Sequence, residues 1–284
     1  MSAQERIPEP RNPLGIDGLE FIEYATSQPQ AFGDLLQKMG FMPVARHRSR
    51  EVMLYRQGPM NLIVNAHGEP PAMPTLCAIA LRVRDAAFAH RHSLELGAWD
   101  MPTRASAMEL NIPGIHGVAD SLIYFVDRYR DFSIYDVDFL PLAGNPPRPA
   151  ALAGLHYFGV VQSIFAGRTP DWLDFYRHLF GFSVLPQGQY FGVLPKGTLL
   201  ESPCHKFYLQ LVEPPPGAED VHWDEGLVRV GLGAPDVPAT VRALEGRGIV
   251  FVDHGAVQPS DKGALTRFYL GGVTFELVVS HLGP

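Results

Sequence analysis

The chain has two cysteines, Cys77 and Cys204, far apart in its 284 residues. A disulfide framework is therefore excluded as the organising device, and a reducing compartment such as the cytoplasm is the expected location. No apolar run approaches the ~18 residues of a membrane-spanning helix. There is no basic tract: Lys and Arg number 23 against 30 Asp and Glu, a net charge of −7. That balance argues against a nucleic-acid partner. A glycine-rich phosphate loop, a CxxC pair and a nucleophile elbow are all missing. The N-terminus, MSAQERIPEPRNPLG, lacks the apolar core of a signal peptide and reads as a flexible leader. Charged residues make up only 19% of the chain and hydrophobic ones 46%, enough for a sizeable core.

What is present is a pattern repeated four times: a strand, a helix, then further strands. The first unit opens with GLEFIEYA (18–25) and the helical PQAFGDLLQKMG, followed by FMPVARHR, EVMLYRQG and MNLIVN. The second opens with LCAIALRV (76–83) and RDAAFAHRHSLELGA and closes on SLIYFVDRY and FSIYDVDF. The third opens with GLHYFGVVQ (154–162) and TPDWLDFYRHLFGF, then FSVLP, QYFGVLPKG and KFYLQLVE. The fourth opens with GLVRVGLGA and PDVPATVRALEGRG, then IVFVD, LTRFYLGG and VTFELVVS. Helical spacing is clearest in the third unit, at Trp172, Phe175, Tyr176, Leu179 and Phe180. Gly40, Gly181 and Gly246 or Gly248 stand where helix C-caps belong. This is an α+β pattern, with helices backing mostly antiparallel sheets. The Pro- and Gly-rich stretch 140–154 divides it into a leader (1–14), an N-terminal domain (15–140), a linker (141–153) and a C-terminal domain (154–284).

Three polar residues interrupt runs that a sheet should bury: His156 in GLHYFGVV, Arg229 in GLVRVGL and Glu276 in VTFELVV. If paired units curl around a shared cavity, all three point into it. A histidine and a carboxylate meeting across such a cavity invite a metal, and two histidines with one carboxylate form the facial triad of non-haem Fe(II) oxygenases. Here the third corner is arginine, which has no lone pair to offer a metal. The corresponding positions of the N-terminal half are Glu20, Ala78 and Tyr135 or Asp136, which do not form a metal set, so this half reads as scaffold or partner surface. His90 and His92, two apart on a helix, face different directions.

The chain resembles the 4-hydroxyphenylpyruvate dioxygenases, members of the vicinal-oxygen-chelate superfamily. The resemblance is carried by NPLGIDGLEFIEYA, MGFMPVARHRS, EVMLYRQGPMNLIVN, MELNIPGI, SLIYFVDRY and FSIYDVDF, and in the second half by GLHYFGVVQ with DWLDFYRHLFGF and by VTFELVV. It implies four βαβββ modules paired into two vicinal-oxygen-chelate domains with curved, mixed or antiparallel sheets. It also implies a dioxygenase-type oxidoreductase using Fe(II) or another divalent metal on a small aromatic or α-keto acid.

The same resemblance places metal ligands at His156 and Glu276, with the family's second histidine falling on Arg229. Other family positions change too: a substrate-lining asparagine becomes Val212 and a glutamine becomes Arg267. The segment before Arg229 is short, and the family's final closing helix has no counterpart before Pro284. Three readings follow. A metal enzyme needs a replacement ligand, His222 first, with His205 and His254 behind it. A metal-free protein pairs Arg229 with Glu276 and binds an anionic aromatic or keto acid through Arg229 and Arg267. A regulatory pseudoenzyme retains only the scaffold, as the residue of a fusion with a catalytic partner. Homo-oligomerisation is compatible with all three.

Overall fold

A computed structural model describes residues 12–102, 109–186, 192–194, 197–217, 222–255 and 257–280. Most of the leader and most of QYFGVLPKG lie outside these residues. The first unit runs β1 (Leu19–Ala25), α1 (Pro29–Lys38), β2 (Met42–His47), β3 (Val52–Gln57) and β4 (Met60–Asn65). The second runs β5 (Thr75–Arg82), α2 (Ala86–Glu95), β6 (Gly114–His116), β7 (Leu122–Val126), α3 (Ile134–Asp138) and β8 (Phe139–Pro141). The third runs β9 (His156–Ser163), α4 (Thr169–Phe180), β10 (Ser183–Val184), β11 (Thr198–Glu201) and β12 (Tyr208–Val212). The fourth runs β13 (Gly226–Ala234), α5 (Val237–Glu245), β14 (Gly263–Leu265) and β15 (Phe275–Val279).

Units one and two share a mixed eight-stranded sheet of order β6-β7-β5-β1-β4-β3-β2-β8. Units three and four share a mixed seven-stranded sheet of order β10-β11-β12-β9-β13-β15-β14. In each, the opening strands of the two units pair antiparallel at the centre, β1 with β5 and β9 with β13. The local signals that start and stop the helices are the expected ones. Asp85 and Asp236 cap α2 and α5, each accepting from the backbone N–H three residues on at 2.8 Å. Gly181 ends α4 with φ +77°, a left-handed conformation that costs glycine nothing.

One face of each sheet joins a common core. Ile22, Leu62, Ile79 and Leu81 from the first sheet, Val160, Leu209, Val230, Leu232, Phe275 and Leu277 from the second, and helix residues Phe32, Leu36, Phe180 and Leu244 are all buried in it. The other face of the first sheet carries a separate cluster, including Phe21, Val52, Leu54, Ile63, Ile134 and Phe139. The stretch after residue 140 docks on the β3–β4 hairpin: Gly58 donates to the Pro149 carbonyl at 2.8 Å and the Leu152 N–H to Gln57 Oε1 at 2.9 Å.

Three details differ from the sequence expectation. IVFVD (249–253) is not a strand and makes only an isolated bridge, Phe251 with Thr266. FSIYDVDF is not a strand. Ser133 and Asp136 form a reciprocal capping box, with the Ser133 N–H and hydroxyl both donating to Asp136 Oδ2 at 2.7 and 2.8 Å, and this turns the chain into α3. Tyr135 and Asp136 therefore do not correspond to Glu276. Strand β7 takes that role: it lies parallel to β5 with Tyr124 opposite Ala80, as β15 lies parallel to β13 with Glu276 opposite Gly231.

Candidate functional site

Strand β13 lies between β9 and β15, so His156, Arg229 and Glu276 sit on three adjacent strands. A register shift between Leu227 and Arg229 re-aims the strand, leaving Val228 exposed while Val230 and Leu232 enter the core. Alternation then sends Arg229, Gly231 and Gly233 to the opposite face. Gly233 stands opposite His156, and a Cβ there would overlap the imidazole; a Cβ on Gly231 would touch Phe158 at 3.5 Å. Gly233 thus makes room for the His156 ring on the face that carries Arg229 and Glu276, while the contact at Gly231 is an ordinary van der Waals one.

On that face Arg229 Nε lies 3.5 Å from Glu276 Oε2, the two side chains being 16% and 2% exposed. The contact is an ion pair but not an aligned hydrogen bond. Burial pushes the guanidinium's pKa down, and the charge of Glu276 offsets part of that. Glu276 is also approached by the backbone at Gly192, where a Cβ would overlap its Oε1. The space beside it, between Phe158, Leu199, Tyr208 and Gln210, measures about 10 Å³, room for about one water molecule.

His156 is buried and fully engaged. Its Nδ1 lies 3.1 Å from the Gly154 carbonyl and its Nε2 2.9 Å from Ser280 Oγ. A carbonyl only accepts, so Nδ1 carries the proton and Nε2 accepts from the Ser280 hydroxyl. This is the tautomer of a histidine that ligates through Nε2, with a hydroxyl where a metal would sit.

The other sequence candidates stand elsewhere. His222 is 89% exposed and pairs with Asp224 at 2.9 Å, so it does not share a site with the buried Glu276. His205 pairs with Glu201 at 3.1 Å on the surface, and His254 is exposed. Arg267 is exposed beside Phe268, away from the cavity next to Glu276. His90 pairs with Asp100 at 2.8 Å, while His92 stacks on Phe88. Among the described residues, no three His, Cys, Asp or Glu side chains gather as a metal set. Ser280, the partner of His156, gave no signal in the sequence, because the contact spans 124 positions and exists only once β9 and β15 flank β13.

Comparison with known proteins agrees with this architecture. A family model described as the N-terminal region of hydroxyphenylpyruvate dioxygenase matches residues 11–140. Hemolysin VllY of Vibrio vulnificus is 35% identical over 264 residues, 85% of this chain and 73% of that protein. The 4-hydroxyphenylpyruvate dioxygenase of Pseudomonas aeruginosa is 32% identical over 273 residues, 89% of this chain and 75% of that enzyme. Among solved structures, a xylose isomerase-like TIM barrel/4-hydroxyphenylpyruvate dioxygenase fusion protein matches with a TM-score of 0.73 at 23% identity, covering 96% of this chain and 50% of that one. The chain belongs to the 4-hydroxyphenylpyruvate dioxygenase family.

Within that family Fe(II) or another divalent metal is the implied cofactor, and the residues present do not fit it. Two ligand types remain, His156 and Glu276. The first has its ligating nitrogen engaged by Ser280 and the second faces a guanidinium. A metal ion placed between them would meet the positive charge of Arg229 at close range.

Proposed function

We propose that this protein is a metal-independent member of its family, a binding or regulatory pseudoenzyme whose C-terminal site is closed by Arg229 and Glu276. The observation that carries the reading is the Arg229–Glu276 ion pair on the cavity face of β13 and β15. The guanidinium takes over the electrostatic task a cation would perform for the buried carboxylate. The small space beside Glu276 supports the same reading, since a keto acid does not fit it.

The competing reading is a non-haem oxygenase acting on a small aromatic or α-keto acid, and it draws on the named activity of relatives such as the Pseudomonas aeruginosa enzyme. Oxygen uptake with 4-hydroxyphenylpyruvate in the presence of Fe(II) separates the two. The expected result is no uptake above that of the Glu276→Gln variant. Fe(II)-dependent turnover that disappears in Glu276→Gln overturns the proposal.

A further inference from the structure

The cavity face of the N-terminal sheet holds a second space, about 630 Å³ in volume, within the ~300–1,000 Å³ range of small-molecule sites. At its floor the buried Glu20 pairs with Arg82 at 2.6 Å. Arg56 is half-buried beside them. Its Nε donates to Asn61 Oδ1 and its Nη1 to the Pro147 carbonyl, both at 2.7 Å. Tyr135 is 7% exposed and lines the same space, its hydroxyl beside the Glu20 carboxylate but not aligned in a hydrogen bond to it. Arg48, Arg130 and Arg148 stand exposed at the rim.

Charge and shape point to the occupant. Five guanidiniums line the cavity against the carboxylates of Glu20, Asp131 and Asp136, an excess of two positive charges. Among the described residues, only Arg82 of the five has a carboxylate within 4 Å. The guanidiniums are held over ring faces: Arg56 over Tyr135 at 5.3 Å, and Arg82 and Arg130 over Tyr129 at 5.6 and 5.7 Å. Stacking of this kind fixes a planar fork and leaves its edge free for a carboxylate. Tyr129, Tyr135 and Phe139 supply aromatic wall. Burial depresses the pKa of Arg56 and raises that of Glu20, so both charges lie where water serves them poorly and a bound anion would relieve the first.

We propose that this cavity binds a small aromatic dicarboxylate, one carboxylate on Arg56 and Tyr135 at the floor and the other among Arg48, Arg130 and Arg148 at the rim. The site is independent of the C-terminal ion pair and stands or falls separately from the pseudoenzyme reading.

Titration of the full chain with terephthalate, whose carboxylates lie at opposite ends of the ring, followed calorimetrically at low salt, tests it. Saturable one-site binding is expected, weakened about tenfold or more by Arg56→Gln and also by the exposed double replacement Arg130→Ala/Arg148→Ala. Benzoate should bind less tightly, and added salt should weaken both. Arg242→Gln, at an exposed position of α5, should leave the affinity unchanged. The rim variant keeps the test meaningful if Arg56→Gln fails to fold. The assignment is overturned by absence of saturable binding to the unmodified chain, by affinity that survives both arginine variants, or by affinity lost in Arg242→Gln. Equal affinity for inorganic phosphate overturns the dicarboxylate identity.

Discussion

Removing one member of the Arg229–Glu276 pair should cost far more than removing both. Glu276 is 2% exposed and Arg229 16%, so losing either one takes a buried charge's ionic partner away where there is little water to replace it. Breaking a buried pair in this way costs about 3–5 kcal/mol. Because Nε and Oε2 are 3.5 Å apart without hydrogen-bond alignment, the lower end applies, about 3 kcal/mol for Arg229→Met or for Glu276→Leu. In a domain of this size that is a fall in Tm of about 6–12 °C. The double variant Arg229→Met/Glu276→Leu removes both charges and fills the space with apolar volume, so its loss should be near zero, about 1 kcal/mol or less. Urea unfolding of the four proteins closes the cycle. A coupling energy of about 5 kcal/mol is the expected result, the two single losses together exceeding that of the double variant by this much. Coupling below about 0.5 kcal/mol, the ordinary value for an exposed pair, would show that the two charges do not depend on each other and would refute the reasoning.

Other consequences follow from neighbouring residues. Glu23 is buried with Asn65 donating to it at 2.8 Å, and burial raises its pKa. The folded state therefore holds its proton more tightly than the unfolded chain, and the stability this contributes is present at low pH and lost as pH rises through the raised value. Glu23→Gln should accordingly stabilise the protein by about 1 kcal/mol at pH 8 and by less near pH 4, read from urea midpoints at both. An equal gain at both pH values would contradict it. Gly233→Ala should destabilise by about 1–3 kcal/mol, because its Cβ overlaps the His156 ring; an unchanged Tm would mean that the imidazole moves freely. Arg229→His combined with Ser280→Ala should create Co(II) affinity, by supplying a second imidazole and freeing His156 Nε2, detectable as a visible absorption band. No band would mean that His156 and Glu276 do not converge.

Much of this was legible in the sequence. Period-two runs and glycine stops located most of the strands and the helix ends at Gly40, Gly181 and Gly246, because these signals are local. The interruption of three buried runs by His156, Arg229 and Glu276 marked the face they share, since a charge inside an apolar strand needs a partner. Three things were not legible. FSIYDVDF alternates like a strand, and only the Ser133–Asp136 box decides for a helix. Ser280 is one hydroxyl among many until the sheet brings it to His156. The N-terminal cavity is built from Arg48, Arg56, Arg82, Arg130 and Arg148, spread over 100 positions of an acidic chain, and composition averages such a cluster away.

The central claim is that a guanidinium and a carboxylate have closed the site a metal would use. Anaerobic Co(II) titration of the unmodified protein tests it most directly. No stoichiometric binding, no visible absorption band and an unchanged Tm are expected. One tightly bound equivalent that is lost in both His156→Ala and Glu276→Gln would contradict it.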